Sequence, residues 1–458
     1  MVVSIKASYT IKPSEATWEG VLHLAEWDQT GVITHVPTIT FYKKPSSEEW
    51  AANSDSIVAT LKGSLSRALV HFYPLAGRVR WVGQGRLELV CNAKGAQLFE
   101  AESSTQLSDF DDFGSHINEF RDLVPLVDYE KPIYELPLML AQLTVFRCGG
   151  ISLGITMSHA VADGQSAFHF MNEWARLARG EPIQAAPYID YSLLAAGQSH
   201  KFKTTPCDQH AELVQPPLLI GEQSSLKERK KPTTISILSL TKEQVESLKM
   251  VADAGGDHAY EKRRPYSRYE VVTAHMWRTA CKARKHLPEQ PTGLGFSVDV
   301  RNRLNPPLPP NYFGNAILDM VAYATAGEVM TKPLSHTCGK IRETIERVND
   351  EYVWANIECL KNLPNLTPLQ DLHSRKGDDS PFHGNPNLGV ISWLNLPIYG
   401  LDFGWGKEVY MGPGIHNSDG DCLMLPGPVN DGSVKIALCL QVAHADDFKK
   451  YFYEDIQI

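Results

Sequence analysis

In the stretch TMSHAVADGQSAFHF, from Thr156 to Phe170, a histidine and an aspartate stand four residues apart, at His159 and Asp163. An imidazole titrates near pH ~6.5, so it can take a proton from a hydroxyl or amine near neutrality and hand it on. If residues 159–163 are helical, Asp163 lies one turn from His159 and can orient it. If they are not, Asp163 can turn away, pair with an arginine and hold the loop. Spacing leaves both open. A rival pattern lies just upstream, where Gly150-Ile151-Ser152-Leu153-Gly154 fits the serine elbow of hydrolases. That elbow needs a strand ending at the serine and a helix starting after it. Leu153, Ile155 and Met157 continue the apolar run past Ser152, so the serine reads as a strand residue and His159 is the better candidate.

Positioning His159 falls to the elements on either side of it. The run ISLGITMSH alternates as a strand, which puts Ile155, Met157 and His159 on one face. Ala160, Ala162 and Gly164 then let a ligand approach the chain closely. FHFMNEWARLARG carries helical spacing and stops at Gly180, as a helix C-terminus should. Further strands are read at HVPTITFYK, LELVCN and LMLAQLTVFRC, and a helix at IVATLKGSLSRALVHF. From Glu181 to about Thr234 the pattern dissolves into Pro-rich, polar sequence that reads as a surface crossover. Beyond it come the strand SILSL, a helix from Thr241, the helix SRYEVVTAHMWRTACKARK, and the strands GLGFSVDV, NLGVISWL and VKIALCLQVA. The expectation is a two-domain α/β protein with mixed sheets. Residues 1–190 form the first domain, 191–234 the crossover and 235–458 the second, with a segment near 380–400 able to pack back on the first.

A second loop of interest is LDFGWGKEVYMGPG, from Leu401 to Gly414. Glycines on both sides of Trp405 mark a tight loop that Asp402 can cap by accepting backbone N–H bonds, with proton transfer the rival role for Asp402.

Composition narrows the function classes. The 458 residues are 43% apolar and 21% charged, which is ordinary for a globular protein. The formal charge is 44 − 53 = −9, with acidic clusters at DFDDF, GDD, SDGD and ADD. Such a surface disfavours nucleic acid and suits a cationic small substrate. No run reaches the ~18 apolar residues of a membrane span, and the N-terminus lacks the apolar centre of a signal peptide, so the cytosol is the expected compartment. Eight cysteines without a CxxC pair argue for reduced, structural thiols. P-loop, dinucleotide-binding and HExxH motifs are absent from the sequence.

Together SHAVADG, VDVRNR, YFGN and LDFGWGKE resemble, in order and spacing, the signatures of the plant BAHD acyltransferases, HxxxD and DFGWG. The likeness runs from TITFY to LQVAH. CGGISLG, ARGEP, NPNLG and SWLNLPIYGLDFGWG are similar to the hydroxycinnamoyl-CoA branch, and AEWDQ with HNSDGDCLMLPG to spermidine hydroxycinnamoyl transferases. The resemblance implies a chloramphenicol-acetyltransferase-like fold in which two domains meet at a channel. His159 matches the catalytic histidine, and Asp163 the motif aspartate that turns toward an arginine, here Arg301. Asp402 matches the DFGWG aspartate, suspected as a second proton acceptor, beside the structural Trp405. Thr38 and Thr40 fall in the segment lining the acyl pocket, and Ser267 where relatives meet CoA.

One departure bears on the acceptor. Shikimate and quinate transferases carry an arginine in the SW-x-R-LP stretch, where this chain has Asn395. A charged hydrogen bond is worth ~1.5–3 kcal/mol, so its loss disfavours an acidic acceptor. Glu408, Asp419 and Asp421 follow and are candidates to face a polyamine. The expected reaction is transfer of a hydroxycinnamoyl group from CoA to spermidine, at several nitrogens, by a monomer without metal or other cofactor and without membrane insertion. His159 acts as base in a ternary complex, with no acyl-enzyme. Acylation of an alcohol such as shikimate or quinate is the alternative, and a silent binding protein of the same fold the remote one.

Overall fold

Runs rich in Val, Ile, Thr, Phe and Tyr alternate between a buried face and a covered or solvated one, and they fold as strands. The computed structural model describes residues 2–31, 33–45, 54–110, 113, 117–197, 207, 210, 213, 230–254, 264–370, 384–415, 418–429 and 431–456. Before residue 190 the strands are β1 (Val3–Ile11), β2 (Gly20–His23), β3 (His35–Tyr42), β4 (Arg78–Gly83), β5 (Arg86–Cys91), β6 (Ala96–Ser103), β7 (Met139–Phe146) and β8 (Ile151–Ser158). Two helices accompany them, α1 (Ser54–His71) and α2 (Gly164–Ala178). The second half contributes β9 (Thr233–Leu240), α3 (Lys242–Ala254), α4 (Arg268–Ala283), β10 (Pro291–Asp299), β11 (Ile317–Thr325), α5 (Ala326–Thr331), α6 (Leu334–Arg347) and α7 (Asp350–Asn362). It ends with β12 (Leu388–Ser392), β13 (Tyr410–Pro413), β14 (Asp421–Pro426), β15 (Val434–Gln441) and α8 (Val442–Glu454).

Among the described residues the strands form two mixed six-stranded sheets, ordered β1-β6-β7-β8-β3-β13 and β11-β10-β12-β14-β15-β9, with β2-β5-β4 as a small third. One strand crosses between the halves. β13 leaves the second half to pair antiparallel with β3, Met411 opposite Thr40. The cores follow the sheets and interlock. The first gathers Phe41, Phe72, Phe170 and Trp174 with Phe313, Trp393, Ile398, Phe403 and Trp405 from the second half. The second takes in Ala25, Trp27 and Leu194 from the first. Of the segment near 380–400, β12 lies in the second sheet, whereas Trp393 and Ile398 pack on the first core. Most of the 191–234 crossover lies outside the described residues, as do parts of the DFDDF cluster and all of GDD.

The cysteine reading needs one correction. Cys207 and Cys359, 152 positions apart in sequence, form a disulfide with Cα atoms 5.6 Å apart. A bridge of such span leaves no local spacing pattern to read. The other six are free thiols, five of them buried. Among the described residues no helix is long and apolar enough to cross a membrane.

Candidate active site

β8 is buried along its whole length and ends at Ser158, so His159 is the first residue past the strand. Its main chain is held on both sides. The N–H donates to the Thr34 carbonyl at 2.8 Å. The carbonyl accepts from the side-chain amide of Asn315 at 2.7 Å. The ring is half-buried, and nothing among the described residues hydrogen-bonds it. Thr38 stands opposite Ile155 and Thr40 opposite Leu153 in the β3–β8 ladder. Residues directly opposite share a sheet face, so both threonines lie on the face of Leu153, Ile155 and Met157, on the strand that leads to His159. Thr38 is half-buried with its hydroxyl 3.4 Å from the Ile155 carbonyl, and Thr40 is buried.

Asp163 takes the outward option of the two that its spacing left open. It caps α2, accepting the Ser166 N–H at 3.0 Å. Arg301 grips both its oxygens, at 2.8 and 2.9 Å, and the Ala316 N–H adds a bond at 3.1 Å. Burial alone pushes this carboxyl up, but Arg301 and the backbone donors outweigh it and hold it below the usual range. Asp163 therefore fixes the loop that carries His159 and leaves the ring untouched.

The segment Tyr312–Ala316, which includes the YFGN motif, is the second half's contribution to this joint. Its amides at 314, 315 and 316 donate in turn to the Ser166 hydroxyl, Asp28 and Asp163. Asp28 is buried in the short turn Trp27–Gln29 and also receives the Ala25 N–H at 2.9 Å and the Asn315 amide at 2.7 Å. Burial pushes its carboxyl up to about 7 against the pull of these donors. Asp28 and Asn315 were not singled out as site residues, although both lie in stretches, AEWDQ and YFGN, that carry the family likeness.

Ser152 sits within β8, fully buried, with no hydrogen-bond partner for its hydroxyl among the described residues. The strand runs six residues past it, so no elbow forms. Asp402, a candidate proton acceptor, caps its own loop instead. One of its oxygens accepts the N–H groups of Gly404 and Gly406 at 2.8 and 3.0 Å. Both glycines have φ above 100°, a conformation other residues rarely adopt. Trp405 is buried, stacks on Phe403 at 5.3 Å and meets Tyr42 edge-on. The Asp402 carbonyl is bound by Arg179, which caps the C-terminus of α2. His159 precedes the N-terminus of that helix, and 15 residues span about 22 Å. Asp402 thus belongs to the far end of α2 from the histidine.

Ser267 caps α4 in a capping box, its hydroxyl accepting the Glu270 N–H while the Glu270 carboxylate takes the Ser267 N–H. Asn395 is exposed and lines a cavity of about 470 Å³ with Gln165, His169, Asn172, Arg176 and Arg179. Two of the three carboxylates read as polyamine contacts are engaged within the protein. Glu408 accepts the Gly400 and Leu401 N–H groups at 2.8 and 3.1 Å and so ties down the Asp402 loop. Asp419 is buried against Arg284 at 3.2 Å and also accepts the Asn385 and Gln441 N–H groups. Asp421 opens β14 opposite Gly389. Among the described residues no group of His, Cys, Asp and Glu is arranged to hold a metal ion.

The model of the Transferase family matches residues 1–455. The chain is 45% identical over 458 residues to hydroxycinnamoyl-CoA:piscidic acid hydroxycinnamoyltransferase of Actaea racemosa, covering 99% of this chain and 100% of that one. It is 36% identical over 457 residues to shikimate O-hydroxycinnamoyltransferase of Nicotiana tabacum, with 99% and 100% covered. The crystal structure of vinorine synthase superposes with a TM-score of 0.69 at 23% identity, over 97% of this chain and 96% of that one.

Proposed function

The chain belongs to this transferase family, the BAHD acyltransferases its motifs resemble, and from that premise we propose that it esterifies a hydroxyl of a carboxylic acid with a hydroxycinnamoyl group. It is a hydroxycinnamoyl-CoA-dependent acyltransferase with the two-domain, chloramphenicol-acetyltransferase-like α/β fold, and CoA thioester is its co-substrate. We place the domain division at residues 1–190 and 235–458, with donor and acceptor meeting between them at His159.

The observation that carries the mechanism is the His159 ring just past the end of β8, not hydrogen-bonded by any of the described residues while its main chain is held. In the proposed reaction His159 accepts the acceptor's hydroxyl proton as that oxygen attacks the thioester carbonyl. The tetrahedral adduct collapses, the C–S bond breaks, and the imidazolium returns the proton to the CoA sulfur. An ester and free CoA result, with no acyl-enzyme between. Thr38 and Thr40 are assigned to the acyl group and Ser267 to CoA.

Three features support a hydroxy acid over a polyamine. Both relatives named above take an acid as acceptor, piscidic acid or shikimate. Two of the three carboxylates that argued for a polyamine are spent within the protein, Glu408 on its loop and Asp419 on Arg284. An alcohol also arrives neutral, whereas an alkylammonium of pKa ~10 must first lose a proton before its nitrogen can attack. Spermidine stands as the second reading, favoured by Asn395 where shikimate transferases carry arginine. Piscidic acid, shikimate and spermidine offered together with coumaroyl-CoA, with products read by mass spectrometry, decide between them. An ester of either acid as the main product is expected. A spermidine amide as the main product overturns the acid assignment, and CoA release with none of the three overturns both.

A further inference from the structure

The His159 ring needs aiming, and the motif aspartate does not do it, because Asp163 spends its oxygens on Arg301, Ser166 and Ala316. With nothing among the described residues bonded to the ring, the main chain at 159 fixes where its Cβ stands, and χ1 and χ2 then choose among the few rotamers that position allows. On one side that main chain is held within its own sheet by the Thr34 carbonyl. On the other it is held from the second half of the molecule. One N–H of the Asn315 side chain donates to the His159 carbonyl at 2.7 Å, and the other donates to Asp28 at 2.7 Å.

The amide is thereby fixed in one orientation. The His159 carbonyl accepts only, so it must face the Asn315 nitrogen, and that nitrogen's second N–H is left pointing at Asp28. The Asn315 main-chain N–H reaches the same Asp28 oxygen at 3.0 Å, which locks the residue at two points. Asp28 is itself immobile. Its other oxygen takes the Ala25 N–H, and its turn is bonded to the second half by Trp27, whose indole N–H reaches Asn356 at 2.8 Å. Asp28 is 1% exposed and Asn315 2%, so water does not compete for these bonds.

We propose that Asn315, oriented by Asp28, is the positioning residue for His159, and that the second half of the chain thereby aims the base carried by the first. The proposal rests on His159 being the base. It assigns to Asn315 a part in the rate of the chemical step and none in holding CoA. Truncating the amide frees the carbonyl of 159 and lets the ring wander, and small misplacements of a base cost rate steeply.

The test compares His159→Ala, Asn315→Ala, Asp28→Asn and the double variant Asp28→Asn/Asn315→Ala. The readouts are kcat with saturating coumaroyl-CoA and the preferred acceptor, CoA affinity by calorimetry, and melting temperature. Asn315→Ala is expected to lose about thirtyfold or more in kcat while CoA affinity stays within about threefold of wild type. Asp28→Asn keeps the shape but must set an N–H against a donor at one of its three bonds, so about a three- to tenfold loss in kcat is expected. Because Asp28 acts through Asn315, the double variant should be no slower than Asn315→Ala alone. A kcat for Asn315→Ala within threefold of wild type overturns the proposal, and so do losses that multiply in the double variant. If Asn315→Ala does not fold, Asp28→Asn decides, and an unchanged kcat there overturns it. Failure of the base reading looks different: His159→Ala is then active, whatever Asn315 does.

Discussion

At the scale of single residues, the two members of the HxxxD pair separate into different jobs. Asp163 is fully buried with two hydrogen bonds to one guanidinium, an arrangement in which removing one partner leaves a charge stranded out of water. Asp163→Asn leaves Arg301 in that state, and a destabilisation of about 3–5 kcal/mol is expected from denaturant melts. Loss of activity should follow loss of structure. A variant as stable as wild type yet inactive would move Asp163 into the chemistry. The histidine was legible from its spacing because a titratable side chain stood at a strand end beside small residues. Asp28 and Asn315 were not. A single carboxylate and a single amide, 287 residues apart, form no period or pattern until the fold joins them. Which acidic residues after Asn395 are free to meet a substrate was not legible for the related reason that sequence does not reveal which carboxylates are already taken up by backbone N–H groups or by Arg284.

At the scale of elements, α2 links the two family signatures. Asp163 caps its first turn beside His159, and Arg179 at its last turn binds the Asp402 carbonyl. Trp174 on the same helix meets Phe403 edge-on at 5.1 Å, so the loop is wedged against the helix as well as tied to it. Asp402→Ala removes two N–H bonds, which predicts a stability loss of about 1–2 kcal/mol and a kcat lowered by less than about tenfold. A fall in kcat of more than a hundredfold at unchanged stability would restore Asp402 as a proton acceptor. β8, α2, β3 and the large strands of the second sheet were readable as period-two or helical patterns. β13 was not, because its four residues follow a glycine-rich loop and acquire their partner only by crossing to the other half of the molecule. The Cys207–Cys359 bridge was missed for the same reason.

At the scale of the whole molecule, titratable groups wholly or partly buried within the halves make stability depend on pH. Burial pushes His35, His275 and His286 each down to about 4. Groups with a depressed pKa contribute stability that is present above about 6.5 and is lost as pH falls toward 4. For His275, 2% exposed, that contribution is about 3 kcal/mol. Asp28 works in the opposite sense, since its raised pKa gives stability that is lost as pH rises from about 4 to about 7. Three histidines outweigh one aspartate, so melting temperature should fall between pH 6.5 and 4. A melting temperature flat or rising on acidification through that range would contradict the assignment of these histidines as neutral in the fold.

The proposed reaction works through one proton acceptor, carried by the first half and aimed by the second. The most direct measurement is kcat of His159→Ala at saturating coumaroyl-CoA and acceptor, with CoA affinity measured on the same preparation. General-base catalysis of this kind predicts a loss of about a thousandfold with CoA binding essentially unchanged. A variant that keeps more than a tenth of wild-type kcat would contradict it and send the search for the base elsewhere in the fold.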